Sequence, residues 1–504
     1  MIRISAPTWL AIPAVLIGSA VAALAEPTSN GPATPDTVVD QGRRVAVVTP
    51  VDQFVPHAQI SKTLYVERCK GTCTIRGGGT NDARTNTSTI PQPGTYTVPE
   101  FTNSANQSGA AADVEWNMLM TCLKEVYSPF DVIVTDTKPP AGVSFHLALA
   151  AGRPPDVGLG NDILGVAPLA GDCSPQDNVI SFSFANAHSQ SNPVDRTNNI
   201  CWTVAQESAH AFGLDHQYRF IPDGRSACND PMTYRTDCGG QKFFRNQTAE
   251  CGEFGSRACR CGANQNSHLK IAAVFGEGTP ITAKPTCEVT LPANDGGPMP
   301  QTVIAVSGSQ RGVSRLELLL NGHVWADAKG VQFGRDGQPE SSYGMQVPAG
   351  IPNGNYDIVV RAYDDLNAFT DSATRTAVKG SPCVSADTCL KGQKCESGKC
   401  FWEPPAGVVG DDCTFNEFCL SGLCSGTAAQ QICTQPCVQG PNDSCPEGLA
   451  CVPTSANGQG VCFFEQEETG CCSANNSSSA TVFAQLGFGA VLLGLVIRRR
   501  RRAS

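Results

Sequence analysis

The feature that most constrains the fold is an eleven-residue stretch, residues 206–216, which reads Q-E-S-A-H-A-F-G-L-D-H. Apolar residues recur at helical spacing before its Gly, and no Gly or Pro interrupts them, which predicts an amphipathic helix. Gln206 and His210 are four residues apart, so they share one face of that helix and can point at one position. Gly213 can adopt the positive φ that ends a helix, and the turn would return His216 to the same position.

The three side chains that converge there are suited to a metal ion. Imidazole nitrogen is a good zinc ligand, whereas Gln206 offers a neutral carbonyl oxygen, which is a poorer one. Three protein ligands leave an open position, and in catalytic zinc sites this position holds a water molecule whose pKa falls to about 7. Glu207 lies beside the same position and can take a proton from that water. We therefore expect Zn²⁺ to be held by His210, His216 and Gln206, with Glu207 as the general base.

The stretch resembles the active-site helix of the metzincin zinc metalloproteases, whose pattern is H-E-x-x-H-x-x-G-x-x-H followed by a turn that contains Met. Gln206 stands where the family has its first His. Residues 230–234, which read D-P-M-T-Y, are similar to the Met turn; the resemblance implies that Met232 underlies the metal and that Tyr234 stabilises developing charge. The Gly-Leu-Asp-His ending is most similar to the matrixin and pappalysin branches. The resemblance covers roughly residues 60–275 and implies an α+β catalytic domain.

Other segments follow the order that such a domain requires. Residues 116–127 predict an amphipathic helix, and residues 131–135 and 179–184 predict strands. An extended substrate is expected along an edge strand, for which residues 179–184 are the candidate. His188, in the loop after that strand, is the nearest candidate for a replacement metal ligand, although a lone loop histidine is more often a solvated surface residue. Residues 198–199, both Asn, predict the start of the motif helix.

Two functions from different classes follow from these residues. The first is a zinc-dependent metalloendopeptidase that hydrolyses peptide bonds with a metal-activated water. It is favoured because residues that only hydrolysis needs are all present, namely Glu207, His210, His216 and Tyr234. The second is a catalytically inactive metzincin-like protein that serves in adhesion or binding at the cell surface. Gln206 favours this second function because it weakens the metal site.

The N-terminal residues predict export. Arg3 precedes an apolar run at residues 9–24 that ends in small residues, so residues 1–25 are expected to be a secretory signal peptide. Residues 26–59 are rich in Pro, Thr and Val and lack helical periodicity. They are expected to form a linker or a propeptide.

The chain contains 25 cysteines among 504 residues, which is typical of disulfides in an oxidising compartment. Cys69 and Cys73 are better explained by a disulfide than by a metal site. A bridge from Cys201, at the head of the motif helix, to Cys228 or Cys238 would fix the loop that carries the Met, although spacing does not define connectivity. The formal net charge is −10, which argues against nucleic acid as a partner.

Two further regions follow the catalytic domain. Residues 285–380 contain short alternating apolar and polar runs separated by turn residues, which predict a β-sandwich. This region resembles a bacterial immunoglobulin-like domain, which implies a spacer or adhesive role. Residues 383–463 contain twelve cysteines and few large apolar residues. They predict tandem small modules held by disulfides, similar to EGF-like or Dickkopf-type repeats.

The C-terminal residues predict attachment to a membrane. Residues 480–497 form an apolar run just long enough to span a bilayer, and the Arg-rich residues 498–504 would hold that end in the cytoplasm. Together with residues 464–479, a spacer that contains Cys471 and Cys472, this tail resembles the myxobacterial sorting tail called MYXO-CTERM. The resemblance implies display at the cell surface or outer membrane, with removal of the tail or release from the cell as further outcomes.

The expected architecture is therefore multidomain. An α+β metzincin-like domain is followed by an immunoglobulin-like β-sandwich, small disulfide-rich modules and a C-terminal transmembrane helix. The expected partners are a protein or peptide substrate and a membrane.

Overall fold

The computed structural model describes residues 60–222, 224, 226–235, 240–330, 340–427, 430–440, 444–454 and 459–464, together with the backbone of residues 43–49. The predicted signal peptide, the apolar run at residues 480–497 and the Arg-rich residues 498–504 lie outside these ranges. Within them, no helix is long and apolar enough to cross a membrane. The described chain is multidomain and consists mostly of β-strands, with three α-helices.

The first region contains these three helices. Its elements are β1 (Arg43–Thr49), β2 (Thr63–Glu67), β3 (Thr72–Gly77), β4 (Thr87–Ser88), β5 (Gly94–Pro99), α1 (Asp113–Tyr127), β6 (Ile133–Thr135), β7 (His146–Ala150), β8 (Ile163–Ala170), β9 (Ile180–Ser183), α2 (Pro193–Ala211), β10 (Gln217–Phe220), β11 (Ala249–Cys251) and α3 (Ser267–Phe275). The helix predicted at residues 116–127 is confirmed by α1. The strand predicted at residues 131–135 is confirmed by β6, which is shorter.

Six strands form the main sheet in the order β1-β8-β9-β7-β2-β6. The paired neighbours are parallel except for β8 and β9, which are antiparallel. The expectation that residues 179–184 form an edge strand is wrong, because β9 lies between β8 and β7 and all of its residues are buried. A strand that is buried on both faces is typical of the interior of a sheet. The outer side of β8 is paired with β1.

Helices α1 and α2 pack against one face of this sheet and against each other, and their shared core includes Trp116 and Val204. A disulfide between Cys122 and Cys201 joins the two helices. The predicted bridge from Cys201 to the Met loop is therefore wrong. The cysteine spacing could not reveal this, because the pairing depends on which faces of α1 and α2 meet. Cys228, in the Met loop, is bonded in a different disulfide.

Helix α2 begins earlier than predicted, at Pro193. The side chain of Asn192 is its N-cap and accepts hydrogen bonds from the N–H groups of the first turn. Proline is well suited to the first helical position because its missing N–H would have no partner there. The start predicted at residues 198–199 is wrong, since both asparagines lie within the helix and Asn199 donates to the carbonyl of Asp195 at 2.8 Å.

The second region consists of strands that form two facing sheets. Its elements are β12 (Glu288–Leu291), β13 (Gly297–Pro298), β14 (Thr302–Ser307), β15 (Arg315–Leu320), β16 (His323–Lys329), β17 (Ser341–Gln346), β18 (Gly354–Tyr363), β19 (Phe369–Asp371) and β20 (Arg375–Lys379). One sheet has the order β12-β14-β17, and the other has the order β13-β20-β18-β15-β16, with β19 beside β18. Val303, Leu318 and Val360 lie in the core that the two sheets share.

The third region is held by disulfides. Its short strands are β21 (Gln393–Glu396), β22 (Lys399–Trp402), β23 (Cys424–Gly426), β24 (Gln431–Cys433), β25 (Pro436–Val438), β26 (Leu449–Pro453) and β27 (Gln459–Phe464). The bridges are Cys383–Cys395, Cys389–Cys400, Cys413–Cys424, Cys419–Cys433, Cys437–Cys451 and Cys445–Cys462. In each successive group of four cysteines, the first bonds the third and the second bonds the fourth. The predicted disulfide-rich modules are confirmed, and this density of disulfides indicates a secreted or extracellular protein.

Candidate metal centre

The turn after α2 brings the two histidines of the motif together. His210 lies in the last turn of α2, and Gly213 follows it with a φ of 89°. A Cβ on Gly213 would lie 2.1 Å from the carbonyl oxygen of Cys173, so both the backbone angle and the available space require glycine. The chain reverses at this glycine, and His216 returns to the end of the helix as the motif predicts.

The two imidazole rings face each other through their Nε2 atoms, which are 3.0 Å apart. The Nδ1 atom of His210 donates to the carbonyl oxygen of Leu214 at 2.8 Å, and Nδ1 of His216 donates to the Glu253 carboxylate at 2.9 Å. Because a carbonyl oxygen and a carboxylate can only accept, each neutral ring carries its proton on Nδ1 and a lone pair on Nε2. Two lone pairs therefore face each other at hydrogen-bond distance.

A metal cation fits this arrangement. Two imidazole nitrogens on one tetrahedral zinc, each about 2.0 Å from the metal, would lie about 3.3 Å apart. Zinc-bound histidines also commonly donate their other ring N–H to a carbonyl or carboxylate, as both rings do here. Burial, and after it the neighbouring His216 ring, lowers the pKa of His210 to about 3. A single metal ion would accept both lone pairs.

Gln206 and Glu207 lie one turn before His210 on α2, and both are fully buried. By helical spacing, Gln206 shares the face of His210. Glu207 is directed at β8, since a Cβ on Gly165 would lie 2.6 Å from its Oε1 atom. The carboxylate therefore occupies the space that this glycine leaves open. Sequence reasoning missed Gly165, and the motif contains no signal for it, because the contact depends on the position of the sheet.

An ion-pair network holds the side of His216 that faces away from His210. Arg257 donates to Glu253 at 2.6 Å and to both oxygens of Asp215 at 2.6 and 2.8 Å. Hydrogen bonds from His216 and from Arg257 hold the pKa of Glu253 well below its usual value. Burial raises the pKa of Asp215, but hydrogen bonds from Arg257 and neighbouring backbone groups outweigh it and leave this pKa below its usual value. Charged acceptors thus fix the orientation of the His216 ring.

Asp215, His216 and Glu253 are also close enough to hold a metal ion by themselves. Such a site would use Nδ1 of His216, which points away from His210 and already donates to Glu253. Because Arg257 already supplies positive charge to both carboxylates, we assign them to orienting His216 rather than to binding metal. Sequence reasoning missed this network. The available signal was the four-residue spacing of Glu253 and Arg257, which is common on protein surfaces.

The Met turn lies against the histidine pair. The ring of Tyr234 packs on the ring of His216 with centroids 4.7 Å apart, and on the other side it contacts Phe254. Met232 is fully buried in the core that includes α2, and its carbonyl accepts from the N–H of Gln217 at 2.8 Å. The structure therefore brings both motif residues beside His216, while their roles in chemistry stay predictions.

Other candidates lie away from the pair. The carbonyl of His188 accepts from Nε of Arg196 at 3.3 Å, near the first turn of α2. Gln206 follows ten residues after Arg196, which is about 15 Å along the helix axis, so the backbone of His188 lies beside the first half of α2, whereas His210 lies in its last turn. His188 is also buried instead of solvated. Cys69 and Cys73 form a disulfide, as predicted.

No family model and no curated protein matches the chain. Among solved structures, OgpA from Akkermansia muciniphila is similar over 68% of this chain and 98% of its own, with 11% identity and a TM-score of 0.20. A catalytically inactive OgpA in complex with an O-glycopeptide (glycodrosocin) substrate shows 10% identity over the same shares, with a TM-score of 0.17. Fibronectin(III)-like modules of Clostridium thermocellum CbhA match 19% of this chain and 95% of their own, with 20% identity and a TM-score of 0.14. These TM-scores are too low to establish a shared fold or function.

Proposed function

We propose that this chain is an exported zinc metalloendopeptidase of the metzincin type. The observation that carries the proposal is the pair His210 and His216, whose Nε2 atoms face each other at 3.0 Å while each Nδ1 donates to an acceptor. Two further residues support the proposal: Glu207, a buried carboxylate one turn before His210 on α2, and Tyr234, whose ring packs on His216.

The roles of the site residues follow from their chemistry. Zinc held by His210, His216 and Gln206 would supply Lewis acidity and lower the pKa of a bound water to about 7. Glu207 accepts a proton from the attacking water and returns it to the nitrogen of the leaving amine. The substrate carbonyl becomes an oxyanion in this step, and the hydroxyl of Tyr234 is the group proposed to donate a hydrogen bond to it.

We propose that an extended substrate binds along β8. Gly165 of β8 lies against Glu207, so this strand borders the proposed base, and a peptide can pair with an open strand edge through its backbone. Strand β1 already pairs with β8 in parallel, from Arg43 opposite Ile163 to the strand ends at residues 49 and 170. On this proposal, β1 lies along the strand edge at which the substrate would pair. This supports a propeptide over a linker for residues 26–59.

A catalytically inactive binding or adhesion protein is the second candidate, and Gln206 favours it. An amide oxygen is a weak zinc ligand, so the site would hold metal poorly. In that case the two-sheet region, proposed to be immunoglobulin-like, and the disulfide modules would carry the binding function. For either candidate, residues 480–497 and the arginines after them are proposed to attach the exported chain to the cell surface or outer membrane.

Hydrolysis of an unstructured protein such as casein separates the two candidates. The exported chain would be tested before and after cleavage at an engineered protease site within residues 50–59. Glu207→Gln is expected to retain zinc and lose cleavage, because an amide cannot take the proton. Glu288→Gln, on the exposed side of β12, is the matched control and should cleave like the wild type. Equal cleavage by Glu207→Gln would exclude the proposed peptidase mechanism.

A further inference from the structure

Two buried arginines meet at the boundary between the first region and the two-sheet region. Arg245 belongs to the first region and is 3% exposed, and Arg311, from the loop between β14 and β15, is fully buried. Asp365, between β18 and β19, accepts from Arg311 at 2.7 and 3.0 Å and from Arg245 at 3.2 Å. Arg245 also donates to the backbone carbonyl of Arg311. We call Arg245, Arg311 and Asp365 the boundary cluster.

The boundary cluster is connected to the Met turn by one carboxylate. Asp230, which is fully buried, accepts from the backbone N–H of Arg245 at 2.9 Å through one oxygen and from the N–H of Met232 at 2.9 Å through the other. The carbonyl of Met232 accepts in turn from the N–H of Gln217, the residue after His216. A continuous series of hydrogen bonds therefore runs from the two-sheet region to Gln217, the residue that follows the proposed metal ligand His216.

The charges make Asp365 the sensitive member of this series. It is the carboxylate that both buried guanidinium groups share, and a buried charge that loses its partner is costly. Without that negative charge, Arg245 and Arg311 would repel each other, and Arg245 would have to move. Because the backbone of Arg245 holds Asp230, such a movement would be transmitted to the turn that carries Met232 and Tyr234.

We infer that Asp365 is a positioning residue for the candidate metal centre and acts through Arg245 and Asp230 on the Met turn. The catalytic role of the metal centre rests on the proposed function, whereas the hydrogen bonds that connect Asp365 to the Met turn do not depend on it. On this inference the two-sheet region helps to position the metal centre and is more than a spacer. A region that merely adheres to the first one would affect overall stability without changing the geometry around His216.

The test uses the full exported chain with Asp365→Asn. Asp371→Asn is the matched control, because Asp371 pairs with Arg361 at the surface of the same region. Amide hydrogen exchange at residues 229–235 reports the Met turn, and exchange at Leu318 of β15 reports the fold of the two-sheet region. The absorption spectrum of bound cobalt(II) reports ligand geometry at the metal centre.

For Asp365→Asn we expect exchange at residues 229–235 to rise about tenfold, with Leu318 still protected. We also expect an altered cobalt(II) spectrum and metal affinity about tenfold lower. Wild-type exchange at residues 229–235 in a folded Asp365→Asn chain would overturn the inference. If wild-type protein binds no cobalt(II), the proposed function fails, and the exchange measurement still decides the role of Asp365.

A second variant keeps the test decisive if Asp365→Asn does not fold. Arg245→Lys retains the positive charge beside Asp365 and the backbone bond to Asp230, but a single ammonium cannot reproduce the bonds to both Asp365 and the Arg311 carbonyl. Exchange at residues 229–235 should therefore rise in Arg245→Lys as well. Unchanged exchange in that variant would count against the inference in the same way.

Discussion

Glu207 occupies the space that Gly165 leaves open on β8. A Cβ built on Gly165 would lie 2.6 Å from Oε1 and 2.7 Å from Cγ of Glu207. The proposed base is therefore held between α2 and β8. Any residue other than glycine at position 165 would displace its side chain. Efficient proton transfer requires a base held in a defined position, so this contact connects the packing of the sheet to the proposed chemistry.

Gly165→Ala is expected to impair catalysis without removing the metal. The added methyl group would push the Glu207 carboxylate away from its position, and we expect kcat to fall about a hundredfold. Zinc content and KM should change little, because the three atoms nearest to this methyl group all belong to Glu207. Gly79→Ala is the control, since a Cβ there meets nothing within 4 Å. A kcat equal to that of the wild type would show that Glu207 does not act from this position.

Gln206→His is expected to strengthen zinc binding. Imidazole is a better zinc ligand than an amide oxygen, and residue 206 shares the helix face of His210. We expect the Kd for zinc to fall at least about tenfold, or about 1.4 kcal/mol of binding free energy, measured by competition with a coloured chelator. Gln206→Ala should weaken binding. If all three proteins bind zinc equally, Gln206 is not a ligand.

Release of β1 is expected to activate the protein. Cleavage at an engineered protease site within residues 50–59 would allow β1 to leave β8. If β1 covers the edge of β8 nine-tenths of the time before cleavage, peptide hydrolysis should rise about tenfold. A synthetic peptide of residues 43–49 should then inhibit the cleaved protein. The same peptide with Val45→Pro and Ala46→Pro should not, because proline removes backbone donors from the ladder. Equal rates before and after cleavage would contradict the propeptide assignment.

The parts of the site that follow from local geometry could be predicted from the sequence. Helical spacing puts Gln206 and His210 on one face, and the glycine turn returns His216 to them, so a short stretch of chain determines this convergence. The start of α2 was harder to predict. Its N-cap is Asn192, which precedes a proline. The first turns of α2 are polar, so apolar periodicity does not show where the helix begins.

The parts that depend on distant contacts could not be predicted. Gly165 and Glu253 reach the site only because the sheet and a later loop pack around α2, and the motif contains no trace of either. The bridge from Cys201 to Cys122 likewise depends on how two helices face each other. The position of β9 inside the sheet follows from strand order, which an apolar pattern does not determine.

The zinc content of the exported chain, residues 26–470, tests the central claim most directly. Elemental analysis after dialysis should find about one zinc per chain in the wild type and none in His210→Ala. His323→Ala, which changes a histidine on β16 instead, should retain the metal. A folded wild-type chain without zinc would contradict the account, because it would show that His210 and His216 do not form a zinc site.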